Sequence, residues 1–278
     1  MTPLRSALFG PGSRPEILAK LAWSGPDAII LDLEDAVPSH SKEHARLAVA
    51  AAIPPLRTLN PMLPIYVRVN SIMTSWFADD IECVTEHLSG IVLPKVETPE
   101  TIRVTRNAIK ERAGLLVNVI AGVETVLGVV NATSIAASDG VIGCYFGAED
   151  YVLDLGGVRT REGLEVLWAR TQVAVSCRLA GIAAFDQVVT DFSSPEAFVE
   201  DASIGRSLGF SGKLCIHPSQ VALAHSAFTA TPAEVDRALR LLTAYGVART
   251  SGEGVINFEG QMVDEPLARQ AQRIIDSM

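Results

Sequence analysis

The sequence lacks the cysteine patterns that staple a small fold or hold a zinc ion. Its four cysteines, Cys83, Cys144, Cys177 and Cys215, include no two at the spacing of a zinc pair and nothing resembling a disulfide framework. Scattered cysteines in a chain of this length suit a reducing cytosol. No apolar run approaches the length of a membrane span, and Met1-Thr2-Pro3-Leu4-Arg5-Ser6 lacks the long apolar core of a signal peptide. The expectation is a cytoplasmic protein with no membrane partner. Positive charge is also in deficit. A net charge of −9 argues against nucleic acid and anionic membrane surfaces as partners, although a local basic pocket can still take an anionic substrate. Finally, no Gly-x-Gly-x-x-Gly follows the first apolar run, which weakens the case for a dinucleotide-binding open sheet.

What is present is a soluble globular balance, with 48% hydrophobic and 20% charged residues among 278, enough for one large α/β barrel or two modest domains. Short apolar runs recur at residues 4–9, 28–31, 65–69, 91–93, 115–120, 141–146, 187–189 and 213–216. They read as strands of a parallel sheet buried on both faces. Helical stretches alternate with them. Thr98-Pro99-Glu100 and Ser194-Pro195-Glu196 each offer a capping hydroxyl followed by proline at the first helical position, and Gly114 stands where a helix would end. Eight alternating units predict a (β/α)8 TIM barrel over residues 1–226. Residues 227–278 read as a C-terminal helical extension: a helix over 232–247, a glycine-rich turn, and a closing helix from about residue 266.

Barrel enzymes carry their chemistry at the C-terminal ends of the strands, and polar residues collect there. Strand two runs into Asp32-Leu33-Glu34-Asp35, strand three into Arg68-Val69-Asn70, strand four into Pro94-Lys95 and strand five into Glu124-Thr125. Strand six runs into Phe146-Gly147-Ala148-Glu149-Asp150 and strand eight into His217-Pro218. Glu124 and Asp150 lie 26 residues apart, one βα repeat. Neighbouring strands are about 4.8 Å apart, close enough for two carboxylates to share one cation. The plainer reading is that each acid favours the helix N-terminus that follows it. Arg68, inside an apolar strand, needs a carboxylate or an anionic ligand; a salt bridge to Glu34 or Asp35 is its structural explanation. Asp32, Glu34 and Asp35 are candidates for orienting metal-bound water or pairing rim cations. Lys95, among these acids, reads as ion-paired rather than as a Schiff-base lysine. His217, between a strand and a proline, reads at least as well as a helix-start residue as a general base. Arg14, after the glycine-containing loop of strand one, is a candidate contact for substrate phosphates.

Taken in order, these segments resemble the citrate lyase beta-subunit-like and malyl-CoA lyase family of the HpcH/HpaI aldolase superfamily. The resemblance runs through Arg5-Ser6-Ala7-Leu8-Phe9-Gly10-Pro11-Gly12 with Arg14-Pro15-Glu16, then Asp27-Ala28-Ile29-Ile30-Leu31-Asp32-Leu33-Glu34-Asp35-Ala36-Val37. It continues in Arg68-Val69-Asn70, Leu93-Pro94-Lys95, Val123-Glu124-Thr125, Phe146-Gly147-Ala148-Glu149-Asp150 and Cys215-Ile216-His217-Pro218-Ser219-Gln220. It closes with Phe258-Glu259-Gly260-Gln261-Met262-Val263-Asp264-Glu265-Pro266. Before Glu124, Ala121-Gly122-Val123 replaces a more aliphatic lead-in, a departure expected to touch packing rather than chemistry.

The resemblance implies a Mg2+ ion held by Glu124 and Asp150, Arg68 at the reacting oxygens, and Asp264 as an acid/base residue. It also implies a homo-oligomer, commonly a trimer, in which the segment around Asp264 closes over a neighbouring subunit's site. The implied reaction is cleavage or formation of a β-hydroxyacyl-CoA such as citryl-CoA or malyl-CoA. Its other partners are an acyl-CoA and a 2-oxo acid of the oxaloacetate or glyoxylate class. Three alternatives stay open on sequence: thioester hydrolysis, as in a malyl-CoA thioesterase or malate synthase-like enzyme; a subunit of a citrate lyase complex acting on an acyl-carrier protein; and a non-catalytic barrel.

Overall fold

The computed structural model describes residues 4–277, which divide into two compact units, the first ending at Phe228 and the second beginning at Thr229. In the first unit eight strands close in chain order into a parallel barrel: β1 (Ser6–Pro11), β2 (Ala28–Asp32), β3 (Ile65–Arg68), β4 (Gly90–Leu93), β5 (Val119–Val123), β6 (Val141–Phe146), β7 (Ala183–Asp186) and β8 (Gly212–Cys215), which returns to β1. The expected (β/α)8 barrel is the observed one.

Alternation along each strand builds two layers. Ala28, Ile30, Tyr66, Val92, Ile120, Tyr145, Phe185 and Leu214 fill the barrel interior. Their neighbours Ile29, Leu31, Val67, Ile91 and Val119 point the other way, against helical residues such as Val49, Ile53, Ile109 and Val173. Both faces of each strand are therefore buried, which is why the strands read as unbroken apolar runs. Each fully buried aliphatic or aromatic side chain contributes about 1.5–3 kcal/mol.

Helix starts follow the capping chemistry of the sequence. Thr98 accepts from the Thr101 N–H and Ser194 from the Ala197 N–H, each followed by proline. Gly114, at φ 71°, ends the helix Pro99–Ala113 in the left-handed conformation.

Two strands sit away from their expected positions. The fifth is Val119–Val123 rather than 115–120, because Leu115 to Asn118 form the connection after Gly114; Leu116 is 70% exposed there. The seventh is Ala183–Asp186 rather than 187–189. Its small Ala183-Ala184 pair gives little hydrophobic signal, while Val188 and Val189 lie past the strand end. The β7–β8 seam is fixed instead by charge. Asp186 and Lys213 are register partners opposite the interior-facing Phe185 and Leu214. Lys213 Nζ lies 2.7 Å from Asp186, and Arg170 makes a two-pronged contact to the same carboxylate at 2.7 and 2.6 Å. All three side chains are buried, so losing one partner would strand a charge at a cost of about 3–5 kcal/mol.

The second unit is the helix Pro232–Thr250, a two-stranded antiparallel hairpin, β9 (Ile256–Phe258) and β10 (Gln261–Val263), and the helix Glu265–Asp276. The first helix starts with a capping box between Thr231 and Glu234. The stretch expected to be a glycine-rich turn is this hairpin. Its two-residue loop is Glu259-Gly260, with φ of 51° and 82°, the doubly positive geometry that suits the twist of antiparallel strands. Ala238, Leu241, Tyr245, Val263, Ala268 and Ala271 form the unit's core. Among the described residues no helix is long and apolar enough to cross a membrane.

Candidate active site

Five of the residues singled out in the sequence, Asp32, Asp35, Arg68, Glu124 and Asp150, line one cavity of about 220 Å³, together with Phe9 and Tyr145. The strand ends explain the convergence. Asp32 and Arg68 are the last residues of β2 and β3 and are partners in register. Glu124 follows β5 directly, whereas Asp150 lies past the end of β6, in the first turn of the helix Ala148–Leu155.

On sequence, the expected salt-bridge partner of Arg68 is Glu34 or Asp35. Its main partner is Asp32, reached by Nε at 2.6 Å and by a terminal nitrogen at 2.7 Å. The other terminal nitrogen lies 3.1 Å from Glu34 Oε2 and 3.7 Å from Asp35 Oδ2. The guanidinium also sits over the Phe9 ring, 4.9 Å from its centroid. Burial opposes its charge, but Asp32 overrides this and raises the pKa well above the ordinary value. Asp32 in turn accepts from the Glu34 and Ala36 N–H groups at 2.9 and 3.1 Å, which wraps the loop after β2 around it. Lys42, unremarked in the sequence, fixes this loop from beneath: its Nζ donates to the Leu33 and Glu34 carbonyls and to Asn70 Oδ1 at 2.6–2.8 Å.

Lys95 bridges the acids. Its Nζ lies 2.7 Å from Glu34, 3.5 Å from Asp35 and 3.5 Å from Asp150. Burial works against the ammonium, but Glu34 outweighs it and the pKa is raised. A lysine held protonated is a poor Schiff-base nucleophile. Its backbone is equally engaged: at φ 52° it adopts a left-handed conformation that a non-glycine residue seldom holds, and its N–H donates to Glu124 Oε1 at 2.8 Å. Burial pushes the Glu34 carboxyl up to about 7 against the pull of Arg68.

Glu124 is 2% exposed. Oε1 accepts from both the Lys95 N–H and the Tyr145 hydroxyl, each at 2.8 Å. Oε2 has no hydrogen-bond donor among the described residues and lies beside Gly147, where a Cβ would come within 2.2 Å of it. Burial raises the Glu124 pKa; Arg68 opposes the rise and the charge of Asp150 adds to it. The Asp150 carboxylate makes an ion pair with the Lys95 ammonium at 3.5 Å. Two carboxylates with open oxygens at one cavity form a donor set suited to a hard divalent cation that keeps water or substrate oxygens as its other ligands. No group of three or more His, Cys, Asp or Glu side chains competes as a metal site among the described residues.

The remaining sequence candidates have local partners. Arg14 is exposed, pairs with Glu16 and does not line the cavity. His217 stacks on Phe192, and its Nδ1 lies 2.8 Å from Ser219 Oγ at the start of the helix Ser219–Ala227, which suits the helix-start reading. Asp264 belongs to the second unit and caps the helix Glu265–Asp276, accepting from the Leu267 N–H at 3.4 Å. Sequence reasoning passed over Tyr145 and Gly147. Tyr145 had one signal: a phenol in an apolar strand needs a buried partner.

Comparison with known proteins gives a family and a fold. The family model described as HpcH/HpaI aldolase/citrate lyase matches residues 5–218. The citrate lyase subunit beta-like protein of Deinococcus radiodurans is 49% identical over 274 residues, spanning 98% of this chain and 96% of its own. Among solved structures, the CitE protein of Mycobacterium tuberculosis in complex with magnesium, acetoacetate and coenzyme A superposes with a TM-score of 0.85 at 33% identity, covering 99% of this chain and 98% of that one. The citrate lyase beta subunit of M. tuberculosis complexed with oxaloacetate and magnesium gives a TM-score of 0.71 at 33% identity, covering 82% of this chain and 98% of that one.

Proposed function

This chain belongs to the HpcH/HpaI aldolase/citrate lyase family, and we propose that it is a Mg2+-dependent carbon–carbon lyase that cleaves or forms a β-hydroxyacyl-CoA such as citryl-CoA or malyl-CoA. The products of cleavage are an acyl-CoA and a 2-oxo acid of the oxaloacetate or glyoxylate class. The observation that carries this reading is the pair of open carboxylates, Glu124 and Asp150, on the same small cavity as Arg68. The complexes of the M. tuberculosis relatives with magnesium, coenzyme A and oxaloacetate support the ligand assignment.

In the cleavage direction the β-hydroxyl loses its proton and its oxygen becomes the carbonyl of the 2-oxo acid. The carbon–carbon bond breaks, and its electron pair passes to the α-carbon of the thioester as an enolate, which then takes up a proton. A bound magnesium ion, held by Glu124 and Asp150, would supply Lewis-acid polarisation of the oxo-acid oxygens. Arg68 holds fixed positive charge at the cavity wall, where negative charge builds on oxygen. Asp32 keeps the guanidinium in place, and Lys95 offsets the mutual repulsion of the acids it bridges. Asp264 moves the proton to or from the α-carbon. In this proposal residues 227–278 cap the site of a neighbouring copy within a homotrimer, and Arg14 lies near the CoA phosphates. The cavity suits the oxo-acid portion, while the thioester tail extends beyond it. The protein acts in the cytoplasm.

The test is an incubation with Mg2+, acetyl-CoA and a panel of 2-oxo acids, followed by mass spectrometry. A hydroxyacyl-CoA that forms with one oxo acid and vanishes on chelation supports a lyase. Release of free CoA without reversible carbon–carbon bond formation points to the thioesterase alternative. No conversion with any pair, in protein shown to be folded, contradicts the reading.

A further inference from the structure

The barrel interior contains one polar ring among its apolar side chains that reaches the site. Tyr145 is 2% exposed and packed with Ile120, Phe185 and Leu214. A phenol placed there requires a hydrogen-bond partner, and Tyr145 has one: its hydroxyl donates to Glu124 Oε1 at 2.8 Å.

How the ring gets there depends on a second residue. Tyr145 and Gly122 are register partners on β6 and β5. Gly122 and Glu124 are two positions apart, so Glu124, just past the end of β5, continues the interior side of that strand. A Cβ on Gly122 would stand 2.3 Å from the Tyr145 Oη, 2.5 Å from Cζ and 2.8 Å from Cε1. The ring therefore lies across Gly122, through the space a side chain would fill, and reaches the carboxylate of Glu124. The departure at Ala121-Gly122-Val123, which the sequence suggested was a matter of packing alone, adjoins the candidate metal ligand.

We propose that Tyr145 is a positioning residue for Glu124 and that Gly122 is the opening that admits it. The phenol and the Lys95 N–H hold Oε1 from two directions, which leaves Oε2 as the oxygen presented to the cation. A carboxylate fixed at one oxygen binds through the other without first losing rotational freedom. Both residues are parts of this chain's barrel; Tyr145 also lines the cavity, and the role proposed here is exerted through Glu124. The inference rests on the assignment of Glu124 as a metal ligand.

The experiment measures Mg2+ binding to the metal-free protein by calorimetry, without substrate, alongside thermal melting. Tyr145→Phe keeps the ring and removes the donor, so Mg2+ affinity is expected to fall roughly tenfold or more with little change in melting temperature. Tyr145→Leu, which removes the ring as well, guards against a Phe variant that misfolds and is expected to show the same loss. Gly122→Ala in the native background is expected to weaken Mg2+ binding by displacing the ring. In the Tyr145→Leu background the same substitution has nothing to displace and is expected to add no further loss. This non-additivity separates a positioning pair from two independent packing defects. Glu124→Gln is titrated in parallel. If Glu124→Gln loses Mg2+ and folded Tyr145→Phe binds it like the native protein, the positioning role is wrong and the metal assignment stands. If Glu124→Gln binds Mg2+ normally, the metal assignment falls and takes this inference with it.

Discussion

Substituting Gly147 with alanine tests the site with a single methyl group. That methyl would lie 2.2 Å from Glu124 Oε2, 2.6 Å from its Cβ and 3.2 Å from its Cδ. The backbone is not at issue, since φ −102° and ψ 94° at Gly147 are open to any L-residue. Because the contacts extend from Cβ to the carboxylate, turning the carboxylate alone does not relieve them. Restoring ordinary van der Waals separation requires Glu124 to retreat by roughly 1 Å. A magnesium–carboxylate bond is about 2.0–2.1 Å long and tolerates little distortion, so a retreat of this size removes the ligand. It also pulls Oε1 away from the Lys95 N–H and the Tyr145 hydroxyl. A misplacement of about 1 Å in a catalytic constellation lowers the rate by about 100-fold, or about 2.7 kcal/mol in the barrier. Overpacking the site costs about 1–3 kcal/mol of stability besides. The assay is calorimetric Mg2+ titration of the folded variant, then kcat/KM at saturating Mg2+. A folded Gly147→Ala protein with native Mg2+ affinity and native kcat/KM would refute the idea that the bare backbone at Gly147 sets the position of Glu124.

Two further outcomes concern Glu34 and Asp264. Glu34 titrates near 7 in the folded protein, against an ordinary value of 4.5, so the folded state binds this proton more tightly than the unfolded chain. Its contribution to stability is complete below about pH 4.5 and is lost as pH rises through about 7; melting of metal-free protein between about pH 5 and pH 8 should therefore slope downward from this group, and Glu34→Gln should flatten the slope, an unchanged slope arguing against the raised value. For Asp264, asparagine still caps a helix but moves no proton, so folded Asp264→Asn is expected to bind Mg2+ and 2-oxo acid without turnover; mixing it with Glu124→Gln protomers should restore part of the activity if the residue serves a neighbouring copy, and mixed oligomers that form yet stay inactive would rule the shared site out.

The barrel was legible because strands buried on both faces leave short apolar runs in regular alternation with helical stretches. The acids were legible because ionisable groups at one strand end after another have few structural uses. The strand limits at β5 and β7 were not, since a run such as Leu115-Leu116-Val117 can be a connection, and Ala183-Ala184 carries little hydrophobic signal although both sit in the wall. Arg68 pairing first with Asp32 depends on the β2–β3 register, which residue order alone does not fix. Gly147 and the Gly122–Tyr145 pair escaped notice for the same reason. Each acts through space left beside a neighbouring strand, and a missing side chain has no pattern along the chain. The hairpin around Glu259-Gly260 read as a turn because its strands are only three residues long.

In the proposed reading Glu124 and Asp150 together hold the divalent cation that receives the 2-oxo acid. The most direct test is a crystal grown with Mn2+ and oxaloacetate and measured at the manganese absorption edge. One anomalous peak is expected in the barrel cavity, bonded to Glu124 Oε2 and the Asp150 carboxylate, with oxaloacetate oxygens completing the coordination beside Arg68. A manganese peak elsewhere with both carboxylates unligated, or an empty cavity at saturating Mn2+, would contradict it.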